Sequence, residues 1–140
     1  MGAHEGHAAL SVSDAVIHEH LSALSALSQN VSDSMSDEIQ ALADRVLETI
    51  LAGGKVMFCG NGGSAADAQH LAAEYVVRFS RERRALAVLA LTTDTSVLTA
   101  GGNDYGYDTI FSRQVEALGR AGDLLILHST SGESENLIAA

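Results

Sequence analysis

Val56-Met57-Phe58-Cys59-Gly60-Asn61-Gly62-Gly63-Ser64-Ala65-Ala66-Asp67-Ala68-Gln69-His70 runs from a short apolar stretch, through a Gly-rich turn, into a segment of helix formers. That order reads as strand, tight turn and helix. The first N–H groups of a helix lack intrahelical acceptors and the helix dipole is positive there, so the turn favours a phosphate or carboxylate. One turn beyond the motif, Glu74 stands four residues after His70 and shares its helical face. By itself such a pair is more often a surface pair or a packed histidine. The anion-friendly turn ahead of it, and the open backbone left by Ala65, Ala66, Ala68, Ala72 and Ala73, favour a site.

Before this stretch, Ser11 or Ser13 is placed to cap a helix with an apolar stripe at Ile17, Leu21, Leu24, Leu27 and Val31. A second helix, from Ser34 or Ser36, carries Ile39, Leu42, Val46, Leu47 and Ile50 and stops at Gly53-Gly54. After it, the helix that opens at Ser64 is predicted to run to about Phe79. Leu86 to Leu91 reads as a second, continuously apolar strand. A short helix over 95–100 leads to a loop over 101–106, and Asp108 is predicted to cap a helix through Leu118. Asp123 to His128 is a third strand, followed by a polar turn and a helix from Ser134. The expected fold is α/β, with parallel strands joined by right-handed crossovers and helices on both faces, preceded by two N-terminal helices. Ligands of such sheets sit at the C-terminal strand ends. Three polar loops fall there, at 60–64, 92–104 and 129–134. The last helix has barely begun at Ala140, so the sequence reads as the front part of something longer.

The domain reading is a flexible segment over 1–12 and one domain over 13–140, with helices in 13–53 and the α/β part in 55–140. His4 and His7 have metal-like spacing but read as part of a disordered tail. The formal net charge of −10 argues against a nucleic-acid partner, since phosphate binding needs a basic surface. No run approaches a membrane span, and the first residues lack the order of a signal peptide. The single cysteine, Cys59, ends an apolar strand, reads as structural and fits a reducing, cytoplasmic setting. The basic cluster Arg78, Arg81, Arg83 and Arg84 reads mostly as a solvated loop. Arg78 stands apart, four residues beyond Glu74 and so near its helical face.

Ser129-Thr130-Ser131-Gly132-Glu133-Ser134 places four hydroxyls around one strand-to-helix turn. Hydroxyls and turn N–H groups wrap phosphate oxygens without a full positive charge. The plain alternative is a Ser/Thr-rich turn with a cap at Ser134. Two further polar loops on the same sheet edge favour phosphate binding. The G-x-x-x-x-G-K-S/T pattern is absent. Asn103-Asp104 serves equally well as a turn or as a binder of sugar hydroxyls.

Taken together, G-N-G-G-S-A-A-D-A-Q-H at 60–70, A-A-E at 72–74, G-N-D-Y-G-Y at 102–107 and S-T-S-G-x-S at 129–134 resemble the sugar-isomerase (SIS) family, specifically its branch that isomerises sedoheptulose 7-phosphate. The resemblance implies a three-layer SIS fold. It implies Asn61, Gly62, Gly63 and Ser64 lining the substrate, Ser129, Thr130, Ser131 and Ser134 holding its phosphate, Asn103 and Asp104 on the sugar chain, and Arg78 assisting. His70 and Glu74 match zinc-binding positions, with Glu74 also touching substrate as the catalytic base. The family's other zinc ligands, a glutamine and a histidine on a late helix, have no counterpart in these 140 residues. Family members are typically homotetramers with sites between subunits, which gives the apolar N-terminal helices a partner surface.

The implied reaction is aldose–ketose isomerisation through an enediolate, yielding D-glycero-D-manno-heptose 7-phosphate, the first step of nucleotide-activated heptose synthesis. A carboxylate can shuttle the proton between C1 and C2, fixed donors or a divalent metal stabilise the oxyanion, and the remote phosphate positions the sugar. Two other readings compete with the enzyme. One is a non-enzymatic relative resembling the DnaA initiator-associating protein, which lacks a glutamate at the position of Glu74. The other is a sugar-phosphate-binding SIS module of a regulator, which normally follows a basic helix-turn-helix domain. Glu74 and the acidic N-terminal segment favour the enzyme.

Overall fold

The computed structural model describes residues 13–140; the segment 1–12, with His4 and His7, lies outside them. The chain divides into two compact units, one up to Leu42 and one from Ala43 to Ala140. In the first, α1 (Asp14–Ser34) follows Ser13 and is succeeded by the start of α2 (Ser36–Leu51). Asp14, Asp37 and Glu38 lie in first turns, where acidic side chains complement the helix dipole.

In the second unit, α2 ends as its glycines require. Gly53 takes φ +83° and donates to Ile50 O (3.2 Å), while Gly54 donates to Thr49 O (2.9 Å). This paired wrap closes the last carbonyls of the helix and turns the chain into the sheet. The sheet has three parallel strands in the order β2-β1-β3: β1 (Val56–Gly60) in the centre, β2 (Val88–Ala90) and β3 (Leu124–His128) at the sides. Every residue of β1 is buried, which explains its unbroken apolar sequence. Its side chains alternate between two cores. Val56 and Phe58 pack with Val46, Ile50, Ala68, Ala72, Val88 and Ala90, whereas Met57 and Cys59 pack with Leu91, Ile110, Phe111 and Leu137. Helices therefore cover both faces, and the three-layer expectation holds.

α3 (Gly63–Val76) lies on the first face, seated through Ala68 and Ala72. It ends three residues earlier than predicted, before Val77, where the β-branched pair Val76-Val77 disfavours continuation. Arg78 is thus off the helix, and its predicted place on the face of Glu74 does not hold. β2 is also shorter than predicted, because only Val88 to Ala90 pair with β1. The predicted loop over 101–106 is a further correction. α4 (Thr95–Asp104), capped by Asp94 accepting from Val97 N (3.0 Å), runs through Gly101-Gly102 and carries Asn103 and Asp104 in its last turn. Asp108 is not a helix cap either. It sits in a single 3-10 turn (Tyr107–Thr109), and α5 (Ser112–Leu118) starts after the buried pair Ile110-Phe111. Gln114, buried in α5, donates to Leu91 O and Ile110 O (both 2.9 Å) and so ties the helix to the end of β2. α6 (Glu135–Ile138) follows Ser134, as read.

A charged clasp holds the opposite, N-terminal edge of the sheet. Lys55 Nζ donates to Asp123, whose carboxylate also accepts from Lys55 N (2.9 Å) and Arg120 N (2.7 Å). These donors, the Lys55 side chain foremost, hold the Asp123 carboxyl at about 2, below its ordinary 3.8. A depressed carboxyl stabilises the fold fully above about pH 4 and loses that contribution as the pH falls towards its folded value. Asp123→Asn is therefore expected to melt below the parent at pH 7, with the gap narrowing towards pH 2. Thermal melts across that range check this, and a gap independent of pH would contradict it.

Candidate active site

The register of the sheet builds the site. Gly60 pairs with His128 at the C-terminal ends of β1 and β3, so the turns that follow them emerge side by side. Asn61 and Ser64 from the first turn, and Ser129, Thr130, Ser131 and Ser134 from the second, line one small cavity of about 90 Å³ together with His128 and Leu137. This brings together the four hydroxyl residues predicted for phosphate. Ser129 Oγ accepts from Gly132 N (2.9 Å) and Ser131 Oγ from Glu133 N (3.2 Å), which leaves each hydroxyl hydrogen free to donate outward. Ser134 sits at the N-cap of α6 without spending its side chain on the cap. Two of the hydroxyls are thus held by their own turn, and all four residues border one space.

The glycines of the first turn are needed there for different reasons. Gly62 takes φ +56° and ψ −120°, a conformation closed to most residues, and starts α3 without a side-chain cap. A Cβ on Gly60 would lie 2.7 Å from Ser64 O and 2.8 Å from Ser64 Cβ, so the turn folds directly over it. Asn61 also borders a second cavity of about 100 Å³ with Gly62, Ala65, Thr92 and Tyr107. Two polar side chains of this region were given no role in the sequence reading, although Tyr107 closes the G-N-D-Y-G-Y motif. Tyr107 Oη donates to Asn61 Oδ1 (2.9 Å), and Asn136, almost fully buried, exchanges two 2.9 Å bonds with Asn61. An Asn two residues past a serine-rich turn carries no local signal; only the fold brings it to Asn61. Gln69 of the first motif is structural, donating to Thr92 O (3.2 Å).

His70 and Glu74 lie elsewhere. They line a groove of about 380 Å³ with Leu71, Tyr75, Phe79, Arg83 and Leu86, and share no lining residue with the hydroxyl cavity. His70 Nε2 stands 3.9 Å from Glu74 Oε1, too long for a hydrogen bond. Arg83, read as part of a solvated loop, reaches back to donate to the Glu74 carbonyl (2.6 Å) and to Arg84 O (2.9 Å), and borders the groove. Arg78 instead pairs with Glu82 at 3.2 Å. Asn103 is spent on Asp104, donating to its Oδ1 (2.7 Å), and neither residue borders the two small cavities. Among the described residues no three His, Cys, Asp or Glu side chains converge as a metal site. His70 and Glu74 supply two donors, half of a four-coordinate zinc shell, and do not by themselves fit that ion. Cys59 is fully buried, and burial pushes its thiol up to about 11, as suits a packing residue.

The fold that carries these two turns has counterparts among known proteins. The SIS domain matches residues 19–140, and the chain belongs to the SIS-domain family. Its curated relatives include proteins named phosphoheptose isomerase. That of Roseiflexus sp. (strain RS-1) is 62% identical over 108 residues, covering 77% of this chain and 55% of the relative. That of Akkermansia muciniphila is 60% identical over 107 residues, covering 76% and 57%. Two solved phosphoheptose isomerases share the fold. The one from Neisseria gonorrhoeae superposes with a TM-score of 0.81 at 47% identity, over 89% of this chain and 64% of that one. The Francisella tularensis structure gives 0.88 at 35% identity, over 93% and 68%. The chain spans about half the length of the curated relatives it matches.

Proposed function

We propose that the protein isomerises sedoheptulose 7-phosphate to D-glycero-D-manno-heptose 7-phosphate through an enediolate. The observation that carries this reading is the hydroxyl cavity. Four serine and threonine residues from one turn, with Asn61 and Ser64 from its neighbour, surround a space suited to a phosphate group. The names of the relatives supply the sugar. In this reading Ser129, Thr130, Ser131 and Ser134 hold the phosphate, Asn61, Gly62, Gly63 and Ser64 line the sugar, and Glu74 moves the proton. Asn103, Asp104 and Arg78 keep a substrate role only if the sugar chain reaches beyond the two small cavities.

Ser64 and Glu74 stand ten residues apart on α3, a rise of about 15 Å. The hydroxyl cavity and Glu74 thus lie towards opposite ends of α3 and border no common cavity. The separation supports sites assembled between copies of the chain, with Glu74 serving the phosphate cavity of a neighbour in a homotetramer. The apolar stripe of α1, Ile17, Leu21, Leu24 and Val31, gives such copies a face to pack. Zinc stays a property implied by family resemblance, and no step here is routed through it. Among the described residues no helix is long and apolar enough to cross a membrane. The buried, unpaired Cys59 is compatible with a cytoplasmic setting.

The complete gene product incubated with sedoheptulose 7-phosphate in D2O is expected to form the aldose with deuterium at C2, since the shuttled proton exchanges on the base. Absence of aldose would overturn the assignment. In the same assay Ser131→Ala is expected to raise KM about 10- to 100-fold, the worth of a hydrogen bond to a charged group, with little change in kcat. A loss confined to kcat would argue against a phosphate role.

A further inference from the structure

We infer that Asn136 and Tyr107 are positioning residues that orient Asn61 so that it offers its ligand a hydrogen-bond donor. This rests on the reading of the hydroxyl cavity as an anion site. An asparagine amide has two donor hydrogens and two acceptor lone pairs. On Asn61, Oδ1 accepts from both Asn136 Nδ2 and Tyr107 Oη, and Nδ2 donates one hydrogen to Asn136 Oδ1. Both lone pairs are therefore filled, and the capacity left is a single N–H.

Asn61 borders both small cavities, so that N–H is the group the amide can give to whatever enters either of them. The ligand atom it meets must be an acceptor, such as a phosphate, carbonyl or alkoxide oxygen. A free asparagine could turn its amide to present either edge. The cyclic Asn61–Asn136 pair, closed on one side by Tyr107, removes that freedom before the ligand arrives, which is preorganisation. Asn136 is suited to the task because it is 2% exposed and sits in α6, directly after the hydroxyl turn. The same pair thereby ties the first turn to the second, across 75 residues of sequence.

A double-mutant cycle in the complete gene product tests this. Asn136→Ala and Asn61→Ala are each expected to weaken sedoheptulose 7-phosphate binding about tenfold, with the double variant no weaker than Asn61→Ala alone. Tyr107→Phe is expected to weaken binding by a smaller factor, and to have no effect once Asn61 is alanine. Asn136→Asp, which keeps the shape and the acceptor but loses the donor, serves where the alanine variant does not fold. Additive losses, or an unchanged affinity in a folded Asn136 variant, would overturn the inference. The cycle is repeated with inorganic phosphate. If the sugar phosphate does not bind the parent but phosphate shows the same non-additivity, the positioning claim stands while the substrate assignment falls.

Discussion

Glu74→Gln in the complete gene product is expected to lower turnover of sedoheptulose 7-phosphate by about 10²- to 10⁴-fold, the usual worth of a positioned general base. Affinity for the sugar phosphate should stay within severalfold. The substitution keeps the shape of a side chain that is only partly exposed, and the Glu74 carbonyl keeps its bond from Arg83, so the groove should survive. What disappears is the group able to take the proton and return it. Steady-state kinetics, with a binding titration beside them, separate the two effects; undiminished turnover would remove Glu74 from the chemistry. The placement of base and phosphate cavity on different grooves adds a sharper form. If each working site draws them from different copies, oligomers mixed from Glu74→Gln chains and chains with Ser131 and Ser134 both changed to alanine should turn over faster than either parent.

The largest effect on folding is expected at Gly60. Gly60→Ala should cost about 3 kcal/mol, the upper end of what overpacking imposes, because its new Cβ meets backbone and Cβ atoms of Ser64 that cannot swing away. The strain falls where β1 turns into α3, so phosphate binding should weaken with it. Gly63→Ala is the matched control. It stands at the first position of α3 with nothing within 4 Å of an added Cβ, and should shift stability by no more than about 0.5 kcal/mol. Urea unfolding of the three proteins decides the matter, and equal midpoints would refute the contact argument.

These two glycines show how far the sequence could be read. Val56 to His70 announced strand, turn and helix because each residue type was consistent with its local structure: apolar in the central strand, glycine in the turn, alanine on the seated face. The hydroxyl turn was equally legible, since Ser129 to Ser134 act within six residues. What failed depended on packing from elsewhere. Gly101-Gly102 reads as a loop on propensity alone, yet the Gly101 position faces Ile110, with an added Cβ only 3.6 Å from its Cγ2, and the helix continues past it to Asn103 and Asp104. Arg83 read as one cation in a solvated cluster until the chain after Val76 doubled back and laid it on the Glu74 carbonyl. The Asn61–Asn136–Tyr107 network joins residues of two separate motifs to one outside any motif, so periodicity and spacing could not reveal their contact.

α3 rests on the sheet through the methyl groups of Ala68 and Ala72, between the end that carries Ser64 and the end that carries Glu74, with Tyr75 packed on the same core just beyond. It behaves as a rigid beam on a low fulcrum. Its length is set by residue count, so its two ends cannot be moved independently by a loop changing shape. Any shift of the beam moves the Ser64 end in this chain's hydroxyl cavity and the Glu74 end in the other groove together. A bulkier residue at Ala68 or Ala72 would tilt it, displacing both ends at once, from a position that touches neither ligand nor solvent.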